Sequence, residues 1–288
     1  MDTEPRWTDV DWAPHVKNTL ILGRRLRYLD YGKGPPLLLV HGLGGAWQNW
    51  LENLPALGRE FRVIAVDLPG FGGSDPLPPP AEMETHVEVL ASLLDRLAIP
   101  DVVLVGHSLG GLIALLFASA YPTRLRGLVL VCAGGIALSR LRLAAIVRGF
   151  AVVNVGLGLP GVSRALALRP RLRHAMLAGA LGDPTALSAP LAAQVIPLMA
   201  SAPGFIGAVV AGGRAVRTVR PELVQTPTLL IWGDRDPILP VSQARELAST
   251  MPDARLVELE GVGHCPMFER PAEFNDELAR FASRFSQG

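Results

Sequence analysis

Cysteine is scarce in this 288-residue chain, at two residues, and lysine scarcer in proportion, Lys17 and Lys33 alone among 27 basic residues. Cys132 and Cys265 have neither metal-ligand spacing nor the density of a disulfide framework, which points to a reducing compartment and to no metal site. Charge of either sign is thin. Charged residues make up 18%, and the formal net charge is +1, far from the basic excess a nucleic-acid binder carries. The first twelve residues, MDTEPRWTDVDW, hold acids and a proline where a secretory signal needs a basic start and an apolar run, so the expected location is the cytoplasm.

An uninterrupted membrane span is also lacking. The longest uncharged stretch, Pro184 to Gly213, is long enough, but Pro190, Pro197 and Pro203 are expected to cut it into pieces too short to cross a bilayer. What the chain has in quantity is apolar residue, 49%, with a mean hydropathy of +0.32. Such a chain can bury a large core, which excludes disorder.

That apolar content is patterned. Residues 19–31 alternate around Gly23 as a β-hairpin does. LLLV (37–40), RVIAVD (62–67), VVLVG (102–106), GLVLVC (127–132) and TLLIW (228–232) are short continuous runs, the form of strands buried on both faces of a parallel sheet. Helix-length segments separate them, the clearest at 82–98, with Val87, Leu90, Leu94 and Leu97 on one face. LVELEG (256–261) reads as a last strand and 271–285 as a closing helix. The fold class is α/β, a mostly parallel central sheet flanked by helices.

Residues 134–221 break the alternation. They are rich in Ala, Leu, Gly and Pro, and ALSRLRLAAIVRGF and APLAAQVIPLMA read as helices, so the interval is expected to be an inserted helical cap on a core of 1–133 and 222–288. Between Asp101 and Glu222 the only acid is Asp183, yet Arg140, Arg142, Arg148, Arg164, Arg169, Arg171, Arg173, Arg214, Arg217 and Arg220 all fall in the insertion.

Chemistry concentrates at Gly106-His107-Ser108-Leu109-Gly110. The strand VVLVG runs straight into the helical HSLGGLIALLFASA, so G-x-S-x-G stands in the strand–turn–helix context that gives the motif its meaning. The turn holds Ser108 in a strained backbone conformation, with small residues where side chains would collide. It also sets the amide of Leu109 at a helix start, where partial positive charge favours an oxyanion.

Here the sequence resembles the α/β-hydrolase superfamily. VHGLGG (40–45) looks like its oxyanion loop, DLPGFGGSD (67–75) like the segment after its next strand, and WGDRDPILP (232–240) and GVGHCPMFERP (261–271) like its acid and histidine loops. The resemblance implies Ser108 as nucleophile, His264 as base, and the amides of Leu43 and Leu109 as oxyanion donors, with no cofactor. Of the other histidines, His15 precedes the fold, His86 lies in a helix, His174 in the cap, and His41 and His107 sit in the oxyanion and elbow turns. The acid lies between serine and histidine in chain order; the family's spacing selects Asp236, with Asp234 the alternative, which otherwise caps the turn or pairs with Arg235. Asp67 and Asp75 read as turn stabilisers, and Cys265 as a packing residue.

Candidate pocket residues are His41, His107 and Trp47, though His41 equally braces its loop and Trp47, like Trp50, equally packs on the sheet. The expected substrates are small apolar carboxylic esters, medium acyl chains of roughly six to ten carbons outrunning acetate because each buried methylene contributes ~0.8 kcal/mol. The same triad serves meta-cleavage carbon–carbon hydrolases and cofactor-free perhydrolases or haloperoxidases, and the fold also serves as a ligand-binding regulator. Dehalogenases and epoxide hydrolases carry Asp at the elbow, against which Ser108 stands. The apolar insertion is expected to close over a pocket, form a dimer interface or touch lipid.

Overall fold

The computed structural model describes residues 6–135, 140–159 and 161–286. Its centre is one eight-stranded sheet in the order β1-β2-β4-β3-β5-β6-β7-β8, formed by β1 (Val16–Ile21), β2 (Arg24–Tyr31), β3 (Pro36–Val40), β4 (Arg62–Val66), β5 (Val102–His107), β6 (Leu125–Val131), β7 (Thr228–Gly233) and β8 (Ala254–Leu259). β1 and β2 form the expected hairpin, closed by Leu22 and Gly23, both at positive φ, the backbone that a two-residue hairpin turn requires. β2 meets β4 antiparallel, and every pairing from β4 to β8 is parallel.

The parallel strands are apolar without a break because both their faces are covered. Leu38, Val40, Ile64, Val66, Leu104 and Leu130 point into one core, under the helices Met83–Arg96 and Leu109–Ala120. Leu37, Leu39, Val63, Val103, Val105 and Val129 point into the other, with Pro271–Ala282 against it. Alternate residues thus serve opposite layers, as the two-residue period of a strand dictates.

Strand order reverses at β3: the chain goes from β3 outward to β4, then returns past β3 to β5. In open α/β sheets the crevice beyond the carboxyl ends at such a reversal is where ligands bind. The loops leaving β3 and β5 are residues 41–46 and the turn at Ser108.

Between β6 and β7 lie the helices Arg140–Gly158, Val162–Leu168, Pro170–Leu177, Ala189–Ala200 and Phe205–Ala215, where the insertion was expected. The start of the expected segment ALSRLRLAAIVRGF falls on 136–139, outside the described residues. Pro197 behaves differently from expectation. It sits inside the helix Ala189–Ala200 rather than ending it, and Pro190 occupies the first turn, where a missing N–H is harmless. The break comes at 201–204, and Phe205–Ala215 departs at 82°. Among the described residues no single helix is long and apolar enough to cross a membrane.

Candidate active site

Ser108 stands at φ 53°, ψ −114°, immediately before the helix Leu109–Ala120. Two glycines make that backbone possible: a Cβ at Gly106 would strike the Gly110 carbonyl oxygen, and one at Gly110 the carbonyl oxygens of Val40 and His41. The strained residue is clamped by its main chain, its carbonyl accepting from Gly111 (3.0 Å) and Gly134 (2.9 Å) and its amide donating to Val131 (3.0 Å).

The loop after β8 carries His264 to this turn. Ser108 Oγ–H donates to His264 Nε2 at 3.0 Å, and His264 Nδ1–H donates to Asp236 Oδ2 at 2.7 Å. Oδ1 of Asp236 accepts from the amides of Ile238 (2.8 Å) and Leu239 (2.9 Å). Burial alone would push the Asp236 carboxyl up, but the imidazole beside it and these amides hold it below the usual aspartate value. Trp232 Nε1–H donates to Leu239 O at 2.8 Å, fixing the acid loop from behind. Of the two parts expected of Asp234, capping or pairing with Arg235, it takes a capping one: its Oδ1 accepts from Gly261 N at 2.7 Å, tying the acid loop to the turn that leads into the histidine loop.

His107 is the buried neighbour of His264. Its Nε2–H donates to His264 O at 2.9 Å, and burial pushes its pKa down to about 3, so the ring stays neutral and keeps this donor in place. Glu269 received no role from the sequence. It is 4% exposed, and among the described residues its carboxylate accepts only from backbone amides: Gly182 (2.8 Å) and Asp183 (3.0 Å) from the inserted segment, and Gly263 (3.0 Å) and Cys265 (3.3 Å) flanking His264. His264 N in turn donates to Ala180 O at 2.8 Å. The bonds to Gly182 and Asp183, and that from His264 to Ala180, join elements distant in the chain, so the sequence carries only a weak hint, an acid five residues beyond the histidine.

A cavity of about 120 Å³ opens over the serine. Gly42, Leu43 and Gly44 of the loop after β3 line one side; Leu181, Leu187, Val195, Ile196 and Met199 of the inserted segment form most of the wall, with Phe268 opposite. Leu109 is the first residue of its helix, so its amide has no intrahelical acceptor. His107 lines the cavity, as the sequence suggested, whereas His41 and Trp47 are not among the lining residues. His41 is fully buried, donating to Gly42 O (2.7 Å) and accepting from Leu68 N (3.0 Å), a brace for its loop. Trp47 is held in the core by its amide, which donates to Asp67 Oδ1 at 2.8 Å; Trp50 packs on Phe274. Asp67 also accepts from Gly73 N and Arg27, the turn-stabilising part expected of it.

Donor atoms of Cys132, Asp236 and His264 lie within 4.8 Å of one another. Two of them are joined by the 2.7 Å hydrogen bond, and burial pushes the Cys132 thiol well above its ordinary pKa, which leaves a protonated sulfur rather than a thiolate ligand. Cys265, half-buried at the cavity edge, has its thiol raised in the same way.

Residues 37–277 match the model of the alpha/beta hydrolase family. The chain belongs to the α/β hydrolases. Among its relatives this α/β hydrolase is 33% identical over 273 residues to the dihydrolipoyllysine-residue acetyltransferase component of the acetoin cleaving system of Pseudomonas putida, covering 93% of this chain and 70% of that protein. It is 30% identical over 258 residues to the pimeloyl-(acyl-carrier protein) methyl ester esterase of Aeromonas hydrophila, covering 87% and 96%. In structure it is similar to a thermophilic esterase from Thermogutta terrifontis, with a TM-score of 0.75 at 28% identity over 94% and 98% of the two chains. Esterases, lipases and meta-cleavage product hydrolases all occur among such neighbours, so membership gives a hydrolase and leaves the bond it cleaves open.

Proposed function

We propose that this α/β hydrolase is a serine esterase that cleaves uncharged carboxylic esters with an apolar acyl or alcohol group. One observation carries the reading: the Ser108–His264–Asp236 hydrogen-bond chain ends in a cavity whose wall is aliphatic and aromatic and which no lysine or arginine lines among the described residues. A meta-cleavage substrate bears a carboxylate, and among the described residues no arginine of the insertion lines this cavity.

In the proposed reaction Ser108 Oγ attacks the ester carbonyl carbon while its proton passes to His264 Nε2. The carbonyl oxygen gathers negative charge between the amides of Leu43 and Leu109. Asp236 keeps the proton on Nδ1, so that Nε2 faces the serine as an acceptor, and stabilises the imidazolium that forms. His264 then gives its proton to the departing alcohol. Water, deprotonated by the same nitrogen, attacks the acyl-serine and releases the acid. The helices of 134–221 act in this reading as a cap that excludes water and grips the apolar part; no metal or cofactor takes part.

Incubation with a fluorophosphonate probe and an ester tests the proposal. Wild type should hydrolyse the ester and take up one probe on Ser108, while Ser108→Ala should do neither and unfold at the same temperature as wild type. Ester turnover that survives Ser108→Ala would overturn it.

A further inference from the structure

The helix Arg140–Gly158 meets the body of the protein through Val153 and Leu157, which pack into the core cluster shared with the cavity wall. Its other side is just as apolar. Arg148, Val152 and Val155 fall within about 60° of one another at 100° per residue, and Leu159 continues the line directly after the helix. Val152 is 73% exposed, Val155 71% and Leu159 57%. Apolar side chains this exposed call for a non-aqueous neighbour, and among the described residues this side of the helix has none. The next helices add exposed Leu168 and Leu172.

Charge on this layer has one sign. Arg148, Arg164, Arg169 and Arg171 are exposed and have no acidic partner among the described residues, and the chain holds no acid at all from 102 to 182. Some exposed arginines elsewhere are paired, Arg25 with Asp75, Arg245 with Glu258 and Arg255 with Glu277, while Arg96, Arg235 and Arg284 have no acidic partner among the described residues. What sets this layer apart is that its unpaired arginines lie among exposed apolar side chains. Apolar side chains interleaved with uncompensated arginines form the pattern of an element that lies in the interface of an anionic bilayer, apolar groups in the acyl boundary and guanidinium groups at the headgroups. A second copy of the chain fits this face poorly, because a two-fold contact would set Arg148, Arg164 and Arg169 against their own equivalents with no acid between them.

We propose that the outer face of residues 148–172 docks this enzyme peripherally on membranes rich in anionic lipid. The docking does not depend on the hydrolytic reading, and Ser108→Ala should bind as wild type does, so the two fail separately.

Co-sedimentation of the full chain with phosphatidylcholine vesicles and with mixed phosphatidylcholine–phosphatidylglycerol vesicles tests it, at low and high salt. Binding should need phosphatidylglycerol and weaken with salt. The triple variant Val152→Ser, Val155→Ser, Leu159→Ser should lower partitioning roughly a hundredfold. Replacement of Arg164, Arg169 and Arg171 by Gln should lower it about fivefold per arginine. Both sets should hydrolyse a water-soluble short-chain ester at the wild-type rate, which shows that they are folded. No binding to the mixed vesicles, or binding that the triple variant retains, would overturn the proposal. So would a concentration-dependent dimer in sedimentation velocity that the triple variant dissolves, since the face would then belong to a second copy.

Discussion

The cavity sets a length for the acyl chain. An apolar protein cavity of roughly 150 Å³ accommodates benzene, so the 120 Å³ above Ser108 holds on the order of five carbons beyond the carbonyl. Each methylene moved from water onto Leu181, Val195 and Ile196 contributes ~0.8 kcal/mol, a factor of about four in kcat/KM. Ordering the chain's rotors offsets part of this and leaves about two- to fourfold per carbon. From acetate to hexanoate, four methylenes, kcat/KM should therefore rise roughly twenty- to two-hundredfold, then level off or fall at decanoate. The assay is a p-nitrophenyl ester series under kcat/KM conditions. Leu187→Phe, which adds a ring at the wall, should move the optimum down to about butyrate; Met199→Ala should move it up. A flat series, acetate as the best substrate, or an optimum that ignores Leu187→Phe would refute the reasoning.

Asp236→Asn should lower kcat on the order of 10⁴-fold, the scale seen when an amide enforces the wrong histidine tautomer in a serine protease, whereas Asp234→Asn should cost much less because it loosens only the Gly261 turn; steady-state kinetics on the two variants ranks them. Glu269→Gln should depress kcat more than it raises KM for a short ester and lower stability by about 2–4 kcal/mol, since the new NH₂ faces amide donors that lose their acceptor. Burial also holds the Glu269 carboxyl above its ordinary 4.5, so acidification protonates it in the folded wild type and the two activity profiles should converge as pH falls. Stability should drop on the acid side for a separate reason: burial lowers His86 to about 4 and His107 to about 3, so below the ~6.5 of free histidine the unfolded chain takes up protons that the folded one refuses. The stability these neutral rings contribute is complete above pH ~6.5, and each ring's share is lost at up to about 1.4 kcal/mol per unit below it. His86→Leu should remove one share from the slope in urea titrations at pH 7 and 5; an unchanged slope would contradict the assignment.

The sheet was legible because a strand buried on both faces has no polar positions to blur its limits: 37–40, 102–106 and 228–232 each fall inside an observed strand of nearly the same length. The elbow was legible because its chemistry is local, a serine between glycines that the turn itself demands. Asp236 and His264 were joined to Ser108 only through resemblance, since 28 residues separate those two from each other and 128 separate Ser108 from Asp236. What escaped depends on contacts across the fold. Trp47 stays out of the cavity because Asp67, twenty residues on, holds its amide, and Glu269 gains two of its four partners only when residues 182–183 arrive beside 263–265. Pro197 misled because its own helix tolerates the lost N–H that the sequence counted as a break.

The seam between the insertion and the sheet is not uniform. Along one edge Gly182 and Gly263 stack main chain on main chain with no room for a methyl on either, and the Glu269 carboxylate stitches them. Along the other, a methyl on Gly44 would meet only the side chains of Met199 (3.5 Å) and Phe205 (3.7 Å) in ordinary van der Waals contact. The first edge is therefore the tighter of the two, held by main chain that cannot give way without disturbing the loop that carries His264. The second is closed by side chains alone, Met199 among them, which also lines the cavity.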